Sequence, residues 1–176
     1  MLNYLKINGK DWVVSQREKY RTKAMNLRHE DKIVLENHFH ARTLGNIRIC
    51  YVDQIENPHF YASFEKTDQP IPLDFRQMRG ITFIDTIIIA EPKVTPDIWL
   101  SLLFHECVHV CQYSILGVDK FIEQYVDGWA NNGFDYASIP LEVDAYEFQR
   151  EFESSPQRPL SVECEIKCRL GCNLII

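Results

Sequence analysis

Nothing in this sequence is long and apolar enough to cross a bilayer. Runs such as Ile87 to Ala90 and Leu102 to Phe104 fall far short of the roughly 20 residues a spanning helix needs. Also missing is any densely basic stretch. With a net charge of -6, the chain has no electrostatic footprint for nucleic acid or an anionic membrane surface. The opening residues, Met1 to Gln16, hold no continuous hydrophobic segment, so no signal peptide is expected. Six cysteines then read as thiols in a reducing compartment, and a cytoplasmic location is the expectation. Internal repeats and low-complexity tracts are absent too. What is left, at 176 residues, is an ordinary globular composition and the length of one domain.

Within it stands His105-Glu106-Cys107-Val108-His109, an HExxH sequence. On a helix the two histidines lie about 40° apart, so both imidazoles can reach one ion from one face. Glu106, about 100° from His105, is placed to act on water beside that ion without being a ligand. Five residues alone match by chance too often to carry the assignment, so the flanks must decide. Thr95-Pro96-Asp97 is a compact helix start, with a hydroxyl N-cap, proline at the first position and an acid facing the dipole. The helix is expected to run from Pro96 to Leu116 and to stop at Gly117. Trp99, Leu103, Phe104, Val108, Val110 and Ile115 spread round it, which marks a buried helix. Two histidines and a glutamate buried in mid-helix need partners, since unpartnered polar groups cost about 1–7 kcal/mol each. A metal ion supplies them.

The rest of the chain reads as scaffold. Residues 1–29 are expected to pack outside the domain, with Trp12 to Val14 as a short strand and Gln16 to Arg28 helix-compatible. A helix from about His29, bearing Ile33, Val34 and His38, should end at Gly45. Residues 46–52 alternate like a strand. Asn57 to Tyr61 reads as a turn with exposed aromatics, and the region of Pro70 and Pro72 as a loop. Residues 81–90 carry the strongest strand signal, and Asp85 within them marks a tight turn or a bulge; with a turn, two short strands form a hairpin, one of them at an edge. Further helices are expected over Val118 to Ala130 and Pro140 to Phe152. In the latter, Leu141, Ala145, Phe148 and Phe152 fall within about 60° of arc and form a core stripe. Ser154 to Pro159 is a linker, and a short element ends the chain.

A catalytic zinc takes three protein ligands and keeps a fourth position open. His29, His38, His40 and His59 all precede the motif, so a ligand downstream must be a carboxylate or a cysteine. Ser138-Ile139-Pro140-Leu141-Glu142-Val143-Asp144-Ala145-Tyr146 is the best source. Glu142 lies about 100° to one side of the core stripe and Asp144 about 60° to the other, and geometry does not choose between them. Cys107 and Cys111 project opposite the histidines and read as small buried residues. Cys50 reads as strand interior. Cys164, Cys168 and Cys172 form one helical stripe, suited to packing or a reversible thiol role rather than to a second metal site.

HECVHVCQY followed by IPLEVDAY resembles the small single-domain zincins that carry HExxHxxQ and then a P-x-E-x-x-A helix. MRGITFIDTIII resembles the edge strand beside their active-site helix. The resemblance covers roughly residues 30–153, leaving residues 1–29 and 154–176 as extensions of a single domain, and it departs from the family at Cys107 and Cys111. It implies an α+β zincin-like fold with a small, mostly antiparallel sheet. It also implies His105, His109 and Glu142 as zinc ligands, Glu106 as general base, and a peptide or protein substrate. Zinc would bring its bound water near pKa 7, and Glu106 would take that proton and return it to the leaving amine. Tyr146 and Tyr136 are the candidate donors to the oxyanion, with Gln112 orienting a ligand. An extended substrate is expected to pair along Thr86 to Ile89. Two other readings compete. One is a zincin-fold module that keeps zinc for stability without turnover. The other is a deformylase-like amide hydrolase, whose Gly-Cys-Ser segment has no match in the Ile-Cys-Tyr around Cys50.

Overall fold

The computed structural model describes residues 1–65 and 73–171; the loop expected at Pro70 and Pro72, like Cys172, lies outside them. The chain is mixed α and β, with a small four-stranded sheet and one long helix. The first element, α1 (Leu2–Arg21), is a helix throughout. No strand forms at Trp12 to Val14, because Leu5, Trp12, Val13 and Tyr20 recur along one helical face and are buried. That face packs into the core, so the N-terminal segment is a structural layer rather than an outer wrapping.

Next come β1 (Met25–Asn26), α2 (His29–Leu35), α3 (Ala41–Asn46) and β2 (Arg48–Val52). The single helix expected from His29 to Gly45 is two short ones. The chain turns after Leu35, where buried His38 donates from Nε2 to the Pro156 carbonyl at 2.9 Å and sits edge-on to Phe104 and Phe152. A four-residue α4 (Ala62–Glu65) precedes the undescribed loop. Then β3 (Gly80–Phe83) and β4 (Thr86–Ala90) form the hairpin anticipated around Asp85. Ile84 sits in its turn at φ 63, an unfavourable conformation for a β-branched residue. The Asp85 carboxylate holds that turn against α1, accepting from Arg17 Nε and Nη2 at 2.9 Å each and pairing with Arg21.

Strand order is β1-β2-β4-β3, antiparallel except for the parallel β2–β4 pair. β4 is therefore interior, paired on both sides, and the expected substrate edge at Thr86 to Ile89 does not exist. The edge strands are β1 and β3, and it is β3 that runs beside α5. Ala90 N–H donates to the Arg79 carbonyl at 2.9 Å, which fixes the alternation: Ile81 and Phe83 pair inward, and the peptide groups of Gly80 and Thr82 face outward.

Side-chain alternation divides the core across the sheet. Ile49, Ile87 and Ile89 pack with Leu103, Phe104 and Cys107 on one face. Cys50, Phe83 and Ile88 pack with Trp12 and Val13 on the other. The long helix α5 (Pro96–Asn131) begins at N-cap Thr95, whose hydroxyl makes no capping bond, and breaks at Gly117 (φ 72, ψ 166). Both the stop at Gly117 and the helix that follows it are thus present, joined end to end. Past the break α5 packs against α1, where Lys6 pairs with Asp127 at 2.7 Å.

Helix α6 (Pro140–Ser154) lies against α5 through the stripe of Leu141, Ala145, Phe148 and Phe152, all buried. Gly128 makes room for its start: a Cβ there would come within 2.6 Å of Pro140 Cδ. Finally α7 (Val162–Arg169) inserts Val162 and Ile166 into the same core, so the C-terminal segment is also a packed layer. Among the described residues no helix is long and apolar enough to cross a membrane.

Candidate metal centre

Every residue from Leu103 to Tyr113 is buried, as a helix apolar on nearly all sides requires. His105 and His109 project from it toward α6, and Glu142 projects back from the first turn of α6. His105 Nε2 lies 3.3 Å and His109 Nε2 3.4 Å from Glu142 Oε2, and the two imidazole nitrogens are 3.1 Å apart. Glu142 Oε2 is buried and has no hydrogen-bond partner among the described residues. Three ligand atoms of types suited to a transition metal thus converge on one point, the one such cluster among the described residues. The group could hold a metal ion.

Both histidines are oriented from behind. Gln149 Oε1 lies 3.0 Å from His105 Nδ1, and Gln112 Oε1 lies 2.8 Å from His109 Nδ1. An amide oxygen accepts, so each Nδ1 carries a proton and each Nε2 faces the cluster, where a metal ion would take its lone pair once any proton there is displaced. The amides are themselves anchored: Gln112 Nε2 donates to the Leu141 carbonyl at 2.9 Å, and Gln149 Nε2 to Ser101 Oγ at 2.8 Å. Gln112 was expected in such a role. Gln149 was missed, although it stands seven residues after Glu142 and so on nearly the same helical face.

Tyr125 was missed as well. Its hydroxyl donates to Glu142 Oε1 at 2.8 Å, which fixes the carboxylate with Oε2 toward the histidines. Tyr136 faces the same carboxylate, and burial and Glu142 together push its phenol up. Tyr146, more than a third exposed, lays its ring 4.5 Å from that of His105. Asp144 is elsewhere: it pairs with Arg169 of α7. In the metal-free protein desolvation opposes charge on His109, yet the Glu142 carboxylate prevails and raises the imidazolium to about 9. Burial works against the Glu142 charge too, and His109 and His105 overcome it, holding the carboxyl well below its usual range.

Glu106 is fully enclosed beside the cluster. Thr82 Oγ1, on the edge strand, is 2.7 Å from Glu106 Oε2 and 3.1 Å from the Glu106 carbonyl. Burial pushes the Glu106 carboxyl up, against the opposite pull of His105, His109 and Thr82. A carboxyl whose pKa is raised in this way is suited to taking a proton and giving it back.

Cys107 and Cys111 are buried on the opposite face of α5, with thiols pushed up by desolvation. Cys50 is buried in β2, whereas Cys164 and Cys168 are exposed. Phe60 and Tyr61, expected on the surface, are buried instead. No protein-family model matches this chain, and no curated protein or solved structure does either.

Proposed function

We propose that the protein is a zincin-like, zinc-dependent metallopeptidase. The observation that carries the reading is the convergence of His105, His109 and Glu142 on one point beside a carboxylate, Glu106, that is not itself part of the cluster. Zinc bonds of about 2.0–2.1 Å in a tetrahedron give ligand-to-ligand edges near 3.3 Å, and the three separations here are 3.1–3.4 Å. A bound zinc ion supplies Lewis acidity toward a water and a substrate carbonyl. The residues do the rest. Glu106, positioned by Thr82, accepts a proton at its carboxylate and returns it to the leaving amine.

Tyr125 is bonded to Glu142, whereas Tyr146, partly exposed and with its ring 4.5 Å from that of His105, is the donor to a developing oxyanion, with Tyr136 beside it. A peptide substrate is favoured because the outward peptide groups of Gly80 and Thr82 offer main-chain pairing next to Glu106.

Metal analysis and turnover of purified variants test the reading. The wild type should hold about one zinc per chain, His105→Ala and Glu142→Ala should hold none, and Glu106→Gln should keep the ion while losing hydrolysis of a mixed short-peptide library. Undiminished hydrolysis by Glu106→Gln would remove the general base. A zinc-loaded wild type that cleaves no peptide would make this a metal-binding module without turnover.

A further inference from the structure

Alongside the free edge of β3 lies a cavity of about 110 Å³. Glu106, His109 and Glu142 line one end of it, so an occupant would touch the metal position. Its opposite wall is α1, through Leu5, Gly9, Trp12 and Val13, closed by the part of α5 that follows Gly117. Helix α1 stands outside residues 30–153, the stretch that resembles the small zincins, so this wall belongs to the present chain rather than to the resemblance. We propose that the cavity receives a leucine-sized aliphatic side chain of the substrate, next to the bond to be cut, and that Gly9 on α1 sets its depth. This deepens the peptidase reading and rests on it.

Chemistry excludes charge. Beyond the three residues at the metal end, the titratable lining side chains among the described residues are tyrosines, whose phenols burial pushes up and keeps neutral, and an ionised group placed there would lose its hydration without a counter-charge. Size favours an aliphatic chain over the largest aromatic ones: a dry cavity of about 150 Å³ takes benzene, and the space here is about 110 Å³. Gly9 is the shallow point. A Cβ there would sit 3.6 Å from Ile122 Cγ2, in ordinary contact, and anything longer takes space from the cavity. The wall is also not closed on itself. Trp129 lines the cavity, and its buried indole N–H has no partner among the described residues. A peptide carbonyl entering with the side chain is an acceptor of the kind such a donor lacks.

The test is a calorimetric titration of the zinc-loaded Glu106→Gln protein, which leaves peptides intact, with blocked tetrapeptides that differ at one residue. Leucine should bind about tenfold or more tighter than alanine, from the added buried carbons, and aspartate more weakly than alanine. Adding Gly9→Leu should collapse the leucine advantage to about threefold or less; the change raises helix propensity at that position, so the helix itself gains. Ile122→Phe, filling the cavity from the other wall, should do the same and serves if the Gly9 variant does not fold. Equal affinity for the three peptides, no binding of any, or a leucine advantage untouched by both fillings would overturn the proposal. Leucine-selective binding with no hydrolysis by the wild type would sink the peptidase reading and leave the pocket. Hydrolysis indifferent to that side chain would do the reverse.

Discussion

Glu106 occupies the space where a side chain on Gly80 would begin: a Cβ at residue 80 would lie 2.6 Å from Glu106 Oε1. The edge strand therefore holds the carboxylate twice, by the Thr82 hydroxyl and by the missing side chain at Gly80. Gly80→Ala should displace the carboxylate without touching the ligands. We expect zinc to stay at about one equivalent and kcat to fall by roughly 10- to 100-fold, the usual cost of misplacing a reacting group by about 1 Å. Loss of metal together with activity would show that the residue matters to more than Glu106.

The third ligand separates two neighbouring acids. Glu142→Ala removes one of three converging donors and should weaken zinc binding by more than about 100-fold, beyond what loss of an outer partner does. Asp144→Ala removes only the pair with Arg169, a partly exposed contact worth about 0–1 kcal/mol. Equilibrium dialysis of both variants decides. Equal zinc retention in the two would overturn Glu142 as a ligand.

How much of this was legible from residues can be said element by element. The buried stripe of α6, the break at Gly117 and the hairpin about Asp85 follow from periodicity, from a glycine at positive φ and from a turn residue inside an apolar run. The choice of Glu142 over Asp144 does not, because it depends on which flank of the stripe α5 approaches, a tertiary fact. Trp12 to Val14 read as a strand because three bulky residues in a row fit both periods, and the buried positions that settle it, Leu5 and Tyr20, lie far apart in sequence. Thr82 and Tyr125 carry no local signal at all; each becomes functional through contacts 24 and 17 residues away.

His109 predicts a proton balance. In the metal-free protein its imidazolium is raised to about 9 by Glu142. Below about 6.5 it is charged in folded and unfolded chains alike, so its stabilisation is then fully present; it is lost as pH rises through about 9. An incoming ion must displace that proton. At pH 7.5 binding should release about one proton per zinc, and apparent affinity should climb about tenfold per pH unit until about 9. Calorimetry in two buffers of different ionisation heat measures the release directly; a value near zero would mean His109 is neutral before metal arrives.

On the metallopeptidase reading, Tyr125 positions the ligand set. Its hydroxyl satisfies Glu142 Oε1, so Tyr125→Phe leaves the ring and frees the carboxylate to rotate. Zinc affinity should fall about 10- to 100-fold, in line with other outer-shell losses. Thermal stability of the metal-free protein should change little by comparison. A competition titration against a chelator reads the first, and unchanged affinity would confine Tyr125 to packing.

Asp85 links the edge strand to the wall of the cavity. Its carboxylate takes two bonds from Arg17 and pairs with Arg21, so the β3–β4 turn is held to α1 by one side chain. Burial disfavours the charge, but the two arginines outweigh it and lower the carboxyl below its ordinary value. The contribution is therefore present above the usual carboxylate range and disappears as pH falls through the depressed value. Asp85→Ala should cost about 1–3 kcal/mol in denaturant unfolding near neutral pH, the range for hydrogen bonds to charged groups, and that difference should shrink in acid. Because the hairpin carries Gly80 and Thr82, the same substitution should also lower activity at temperatures where the protein is still folded. A variant as stable as the wild type at pH 7 would show that the turn, rather than the arginine clamp, fixes the hairpin.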